Sequence, residues 1–328
     1  MAVTAQDVKA LREATGAGMM DCKRALQEND GDFDRAVSWL REKGMASAAK
    51  RADRAAAEGV VMAKVLDDAR TAGMLELNCE TDFVARGDEF QTLAEGLLDQ
   101  VIAQAPDFVS SEKAPAGASG KFLVDLPYIH DASKTVADVV TALSGKTGEK
   151  MEIRRFVRFE IPADAKGMLF SYVHMGGKIG VLAEIHVDND AALKDPAFDA
   201  LGRDLCLQIC SASPRWVSSD QVAQSAIDEE MRIYKAQAAE TGKPENICEK
   251  IAQGKLRKWY EEVCLVQQTF VKDNEKTIAQ LLEETGKALG AKISVARFAR
   301  FERGEGIEKA QADLADDVAK AIADAEGK

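Results

Sequence analysis

The sequence predicts an α+β protein: an N-terminal three-helix bundle, a core of two similar α+β halves, an antiparallel helical hairpin inserted in the second half, and a C-terminal helix. Three observations lead to this fold class. Apolar residues recur at helical spacing near both ends of the chain. Two stretches of the middle recur at fixed offsets, and the two offsets differ, so one copy carries an insertion.

The N-terminal bundle is predicted from capping residues and apolar spacing. Thr4 can cap a first helix, which Gly16 and Gly18 end. A second helix is expected from about Met19 to Gln27, and Asp30-Gly-Asp32 introduces a third. The apolar faces of the first and third helices carry Val8, Leu11, Phe33, Ala36, Val37 and Leu40. Residues 44–58 are rich in alanine and charge without an apolar face, which predicts a linker that could itself be helical.

The middle of the chain contains a first repeat. The segment FQTLAEGLLDQVIAQAPDFVS from Phe90 aligns without gaps with FDALGRDLCLQICSASPRWVS from Phe198, at an offset of 108 residues. Each copy has the pattern of a helix. A strand-like run precedes each helix, GMLELN in the first copy and IGVLAEIHV in the second.

A second repeat is clearer still. KTVADVV and EIRRFVRFE, within residues 134–160, recur as KTIAQLL and SVARFARFE within residues 276–302, at an offset of 142 residues. Two α+β halves are therefore predicted, at about 59–160 and 167–302. The difference between the two offsets places 34 extra residues in the second half, between Pro214 and Lys276.

The extra residues have a helical pattern. Thr241-Gly-Lys-Pro244 supplies a glycine stop and a proline start, so an antiparallel hairpin is expected at about 222–268. On an isolated hairpin Ile251, Trp259 and Val263 would be solvated, which predicts a contact with another surface. The apolar stripe of the hairpin comprises Ile227, Met231, Tyr234, Ala238, Ile247, Ile251, Leu256, Trp259 and Val263. A C-terminal amphipathic helix is predicted from Ile307, Ala310, Leu314, Val318 and Ile322.

Composition limits the classes of partner and compartment. The formal charge of −12 has the wrong sign for a protein that holds phosphate backbones, so no direct nucleic-acid partner is expected. No apolar signal core follows Met1, and no uncharged apolar run approaches the roughly 20 residues of a membrane span. A cytoplasmic location without membrane contact is therefore expected. The six cysteines contain no CxxC pair, which predicts reduced, packing thiols.

Catalytic and nucleotide-binding motifs find little support. The three histidines lie in unrelated contexts without HExxH, GxSxG or a Cys/His pairing, so no catalytic residue and no metal site is predicted. VVTALSGKT has Val140 where a phosphate-binding loop needs glycine, and it is interpreted as a helix end. TGAG, at residues 15–18, follows a helix rather than a strand, so it is no dinucleotide fingerprint.

The segment CETDFVAR, residues 79–86, places an aromatic residue on a connection expected to be solvated. It follows the strand-like GMLELN and precedes a helix that Asp88 is expected to cap. From the residues alone, Phe83 is an internal plug of the loop and Asp82 caps a short turn. The alternative is that Phe83 points outward and contacts another molecule.

Two long strings resemble a known family. LREATGAGMMDCKRAL, residues 11–26, and ELNCETDFVAR, residues 76–86, resemble the signature pair of the bacterial elongation factor Ts family, the guanine nucleotide exchange factors of elongation factor Tu. SYVHMGGKIGVL from Ser171 and RFERGEGIEK from Arg300 extend the resemblance over essentially the whole chain. Residues 104–134 depart from it by looking longer than expected.

The resemblance implies a domain layout and an activity. The first bundle would be ubiquitin-associated-like, and the chain would promote GDP release by disturbing the Mg²⁺ and phosphate site of elongation factor Tu. It would need no cofactor and would not be an enzyme. The implied domains are a ubiquitin-associated-like domain with linker at 1–54, a core N-subdomain at 55–165, a core C-subdomain at 166–221 and 269–303, the hairpin at 222–268 and a C-terminal module at 304–328.

The resemblance also implies three groups of partner-binding residues. Thr81, Asp82, Phe83 and Val84 would dislocate Mg²⁺ in the partner, and His174, Met175 and Gly176 would reach its phosphate loop. Met19 and Met20 would bind in the N-terminal domain, although they could equally be core residues, and His174 could be a solvated hairpin tip. The full N-terminal set is Lys9, Arg12, Met19, Met20 and Lys23.

The implied partner is elongation factor Tu in its GDP-bound and nucleotide-free states. The hairpin could join two copies of the chain in a homodimer or in a 2:2 complex. A rival function is a non-catalytic scaffold or peptide-binding adaptor that uses the N-terminal three-helix domain. That function would give Asp82 and Phe83 no task.

Overall fold

The computed structural model describes residues 3–15 and 17–308 and has the predicted α+β fold. Gly16 and the predicted C-terminal helix beyond Glu308 lie outside the described residues. The N-terminal bundle consists of α1 (Ala5–Thr15), α2 (Met19–Glu28) and α3 (Phe33–Lys50). Thr4 caps α1 as predicted, because its Oγ1 accepts from the Asp7 N–H at 3.2 Å while Asp7 Oδ2 accepts from the Thr4 N–H at 2.9 Å.

The bundle core confirms most of the predicted apolar face. Val8, Leu11 and Ala36 are buried together with residues of α2. The prediction for Phe33 is wrong, since this first residue of α3 is exposed and Trp39 packs on the core instead. Phe33 stands at the very start of α3, where the end of the apolar stripe is left uncovered by the rest of the bundle.

Helix α3 continues into the predicted linker, because its alanine-rich sequence has high helix propensity. Its second half lies against α6 (Val136–Thr147) of the first α+β half. Arg41 Nη2 is 2.8 Å from Asp138 Oδ1, and Arg51 Nη2 donates to Ser144 Oγ at 3.1 Å. The bundle is therefore attached to the core by side-chain contacts as well as by the chain.

The first half is a three-stranded antiparallel sheet covered by helices. Its remaining elements are β1 (Glu58–Val65), β2 (Thr71–Cys79), α4 (Asp82–Ala85), α5 (Asp88–Gln104), β3 (Pro127–Tyr128), β4 (Asp131–Thr135) and β5 (Glu152–Glu160). The strands of the sheet lie in the order β1-β2-β5. Helix α5 buries Phe90, Leu97 and Val101 against Leu75 and Leu77 of this sheet.

The second half repeats this arrangement. Its elements are β6 (Gly167–His174), β7 (Ile179–Val187), α7 (Pro196–Ala212), α8 (Gln224–Ala239), α9 (Glu245–Val263), β8 (Thr269–Phe270), β9 (Asp273–Thr277), α10 (Ile278–Leu289) and β10 (Ile293–Glu302). The strands of its sheet lie in the order β10-β7-β6. Ala105 and Ser213 end the equivalent helices α5 and α7 in the left-handed conformation, both with φ of 47°. Thr135 and Thr277 form the same capping box at α6 and α10.

The two halves contact each other through reciprocal pairs. The Arg155 guanidinium lies 4.3 Å from the ring centre of Phe301, and the Arg297 guanidinium lies 4.2 Å from that of Phe159. These are equivalent positions of the second repeat, so the halves are related by an approximate twofold axis. Between the sheets lies a shared core of Val61, Ala72, Met74, Phe159, Ile161, Leu169 and Leu182.

The inserted residues form the predicted hairpin of α8 and α9. The surface that covers Trp259 belongs to the chain itself: its side chain is only 7% exposed and packs with Trp216, Val222 and Cys264 at the base of the hairpin. Ile251 and Val263 are half-buried. The exposed apolar surface of the hairpin therefore lies toward its tip, where the Ile247 side chain is 37% exposed.

All six cysteines are free and buried, which confirms that they are packing thiols. Helix α6 ends at Thr147, as the interpretation of SGKT as a helix end requires. Over residues 3–15 and 17–308, no helix combines the length and apolar character needed to cross a membrane.

Candidate functional site

The segment CETDFVAR forms a short, firmly capped turn. Strand β2 ends at Cys79, and Thr81 caps α4 because its Oγ1 accepts from the Val84 N–H at 3.3 Å. The predicted caps Asp82 and Asp88 are wrong, since Thr81 and Gly87 occupy the two capping positions. Each predicted cap is the first helical residue instead, where its carboxylate interacts favourably with the positive end of the helix dipole.

Phe83 projects from this turn into solvent. Its side chain is 85% exposed, whereas the neighbouring Val84 packs on the core of the first half and Ala85 is buried. The alternative in which Phe83 is an internal plug is therefore wrong. The turn packs Val84 and Ala85 inward and presents the large apolar side chain of Phe83 at the surface.

Asp82 lies beside Phe83 and remains accessible. Its Oδ2 is 3.0 Å from Arg86 Nη2 in an i, i+4 pair whose members are both solvated. Such a pair is weak and can be exchanged for another cation or donor. The Cys79 thiol beneath the turn is inert, because burial, with a smaller effect of the Glu149 carboxylate, raises its pKa to about 12.

The second predicted group lies on the turn between β6 and β7. His174 is half-buried, with Nδ1 2.9 Å from the Tyr172 hydroxyl oxygen, and Met175 is 70% exposed. Gly176 has a φ of 61° and Gly177 a φ of 91°. A Cβ at Gly177 would lie 2.3 Å from Val60 Cγ2, so only glycine allows this turn to approach β1.

The structure brings these two turns to the same strand. Gly177 O accepts from the Val61 N–H of β1 at 2.8 Å, and α4 packs against β1 and β2. Gln91 Nε2 on α5 donates to Ala85 O at 2.5 Å. Strand β1, helix α5 and the turn between β6 and β7 enclose a groove of about 520 Å³, whose lining includes Val60, Lys64, Gln91, Asp99, Val173 and Gly176.

The N-terminal group lies on a different surface, formed by α1 and α2. Met19 is 56% exposed and Met20 is 73% exposed, so the alternative that places them in the core is wrong. Cys22, Ala25 and Leu26 of α2 form the core face instead. Lys9, Arg12 and Lys23 are also exposed.

Each of the three histidines contacts a different neighbour, and they do not form a cluster. His174 contacts Tyr172, His130 packs edge-on to the Tyr128 ring at 5.4 Å, and His186 Nε2 is 2.6 Å from Glu184 Oε1. Among the residues that the structure describes, no group of three or more His, Cys, Asp or Glu side chains could hold a metal ion.

Two residues of the site escaped prediction. Gly177 is needed to seat the second turn, and the glycine pair of SYVHMGGKIGVL was a signal that could have shown it. Glu149 contacts the backbone of the first turn from another part of the chain. No local pattern indicates a contact across 68 residues of sequence.

Comparison with known proteins agrees with this architecture. The model of the family described as elongation factor TS matches residues 80–305. Elongation factor Ts of Clostridium botulinum strain Alaska E43 is 44% identical over 98% of this chain and 99% of its own length. The Clostridium perfringens strain 13 protein is 44% identical over 97% of this chain and 98% of its own, and the Trichlorobacter lovleyi protein is 43% identical over 98% and 99%. With a family match over more than half of its residues and relatives that align with it nearly end to end, the chain belongs to the elongation factor Ts family.

Proposed function

We propose that this translation elongation factor binds GDP-loaded elongation factor Tu and promotes GDP release by inserting Phe83 and Asp82 into the partner's nucleotide-binding domain. The observation that carries the proposal is the 85% exposure of Phe83 on a capped turn. Exposed aromatic side chains on rigid supports are typical anchors of protein interfaces.

Displacing Mg²⁺ is an effective way to loosen a nucleotide. The ion demands near-octahedral geometry at about 2.0–2.1 Å and bridges phosphate and protein oxygens. A small displacement of the elements that support it therefore weakens GDP binding steeply. Thr81 and Val84 flank the inserted pair, and His174, Met175 and Gly176 contact the same domain and favour a changed phosphate-loop backbone.

Exchange is coupling between two binding equilibria and forms no covalent bond. A factor that binds the nucleotide-free partner more tightly than the GDP-bound partner must loosen GDP by the same ratio. GTP binding then expels the factor, because the two ligands favour different states of one domain.

The test is a GDP-release assay. Elongation factor Tu loaded with fluorescent GDP is mixed with excess unlabelled GDP and increasing amounts of the chain. We expect the release rate to rise with concentration to a plateau. A rate that stays at the spontaneous value at every concentration contradicts the proposal and leaves the adaptor function as the explanation of the fold.

We expect the N-terminal surface to contribute affinity rather than the release step. Replacing both Met19 and Met20 with alanine should raise the half-saturating concentration roughly tenfold, which corresponds to about 1.4 kcal/mol. The plateau rate should stay unchanged, because Phe83 is intact. Phe33→Ala is the control, since it removes an exposed apolar side chain from the same bundle outside the predicted set. A lower plateau with unchanged half-saturation would contradict this assignment.

The hairpin tip is expected to join chains or to contact a second surface of the partner. Replacing residues 237–251 with a short Gly-Ser turn keeps the base cluster around Trp259, so the fold should be retained. Sedimentation of the chain, alone and with elongation factor Tu, should then show smaller assemblies than the intact chain. An unchanged mass distribution in both samples would show that the hairpin only supports the core.

A further inference from the structure

The turn that carries Phe83 is held by one carboxylate. Glu149, in the connection between α6 and β5, accepts from the Glu80 N–H at 3.1 Å and the Thr81 N–H at 3.0 Å through Oε2. Its Oε1 accepts from the Thr81 hydroxyl at 2.6 Å. Three donors to one ionised group fix both peptide planes just before α4.

Glu149 is itself held in place. Its carbonyl accepts from Ser144 Oγ at 2.6 Å, and Ser144 Oγ accepts from Arg51 Nη2 of the segment after α3 at 3.1 Å. The next residue, Lys150, donates its N–H to Glu80 Oε1 at 2.6 Å. The connection between β2 and α4 and the connection between α6 and β5 therefore each donate hydrogen bonds to the other.

Comparing the two halves shows which of these contacts are common to the fold and which occur only at this turn. In the second half, Asp188 occupies the position of Glu80, and its Oδ1 accepts from the Lys292 N–H at 2.7 Å. That bond repeats the one between Lys150 and Glu80. The position equivalent to Glu149, however, is Ala291. The carboxylate is therefore present only in the half that bears the exposed phenylalanine.

We propose that Glu149 is a positioning residue that presets the direction of Phe83 for exchange; this rests on the proposed function. The Thr81 hydroxyl donates to Glu149 and at the same time accepts from the Val84 N–H at 3.3 Å. The orientation of α4, and with it Phe83, follows from where the carboxylate lies. A preset anchor loses less conformational freedom when it binds.

The experiment compares four variants in the GDP-release assay: Glu149→Gln, Phe83→Ala, the double variant and Asp188→Asn. Glutamine has the shape of glutamate but no charge. To keep an oxygen on the two backbone N–H groups, it must turn its NH2 group toward the Thr81 hydroxyl, which then no longer donates to it. For Glu149→Gln we expect the plateau release rate to fall about tenfold, on the scale of a lost charge-assisted hydrogen bond. Half-saturation should change less. Asp188→Asn, which removes the charge of the carboxylate at the equivalent end of the second sheet but keeps an acceptor oxygen, should leave the plateau unchanged.

The double variant distinguishes positioning from general destabilisation. If Glu149 acts through Phe83, the double variant releases GDP no more slowly than Phe83→Ala alone. Additive losses, or a normal plateau for Glu149→Gln beside a slow Phe83→Ala, overturn the inference. A normal plateau for Phe83→Ala instead overturns the proposed function. If Glu149→Gln unfolds at the assay temperature, Thr81→Val, which removes only the hydroxyl, takes its place. Thr81→Val combined with Phe83→Ala should then release GDP no more slowly than Phe83→Ala alone.

Discussion

Phe83→Ala is expected to reduce exchange strongly while leaving the fold nearly intact. An aromatic anchor at an interface typically contributes at least about 2 kcal/mol, which is roughly thirtyfold in an equilibrium constant. The side chain is 85% exposed, so its removal leaves no cavity. The measurements are the GDP-release rate and the melting temperature of the same variant, with the rate taken well below melting.

Two comparisons make this result decisive. Phe33→Ala removes an exposed phenylalanine from the N-terminal bundle and should leave the plateau release rate unchanged. Asp82→Ala should act in the same direction as Phe83→Ala, and the double substitution should lose less than the sum because both side chains enter one site. A destabilised Phe83→Ala with normal exchange would end the proposal that Phe83 is an anchor.

The direction of Phe83 could not be obtained from the sequence. In a four-residue helix there is no periodicity to separate an inner from an outer face. Thr81, Asp82 and Asp88 are all good capping residues, and the choice of Thr81 is favoured by the distant Glu149 carboxylate. The site was located by its motif, but its geometry depends on contacts between segments far apart in the chain.

The repeats, by contrast, predicted much of the fold. Thr135 and Thr277 each cap a helix that ends at a left-handed glycine, and such local signals survive in both copies. The short strands β3, β4, β8 and β9 carry no comparable pattern, and they were not predicted. The neighbours that cover Trp259 could not be predicted, because Trp216 and Val222 precede α8 and a helical stripe shows only that one face is apolar.

Glu76→Gln is expected to lower the free energy of unfolding more than Phe83→Ala or Glu149→Gln. Glu76 is fully buried and accepts from Arg155 Nε at 2.7 Å, Arg154 Nη1 at 3.0 Å and the Gly304 N–H at 2.8 Å. Removing one charge of a buried pair leaves the other uncompensated, typically at about 3–5 kcal/mol, and about 3 kcal/mol is expected because both arginines keep some access to water. The melting temperature should fall by roughly 5–10 °C.

Glu184→Gln is the matched control, because Glu184 occupies the equivalent position in the second half. It accepts from Arg297 Nε at 2.7 Å and contacts His186, whereas the Gly304 N–H bonds to Glu76. Only Glu76→Gln should therefore loosen the segment after β10, where Arg303 pairs with Glu58 at 2.8 Å. Limited trypsin digestion measures this as faster cleavage after Arg303. Equal cleavage in the two variants would show that the segment is held by Arg303 rather than by the buried carboxylate.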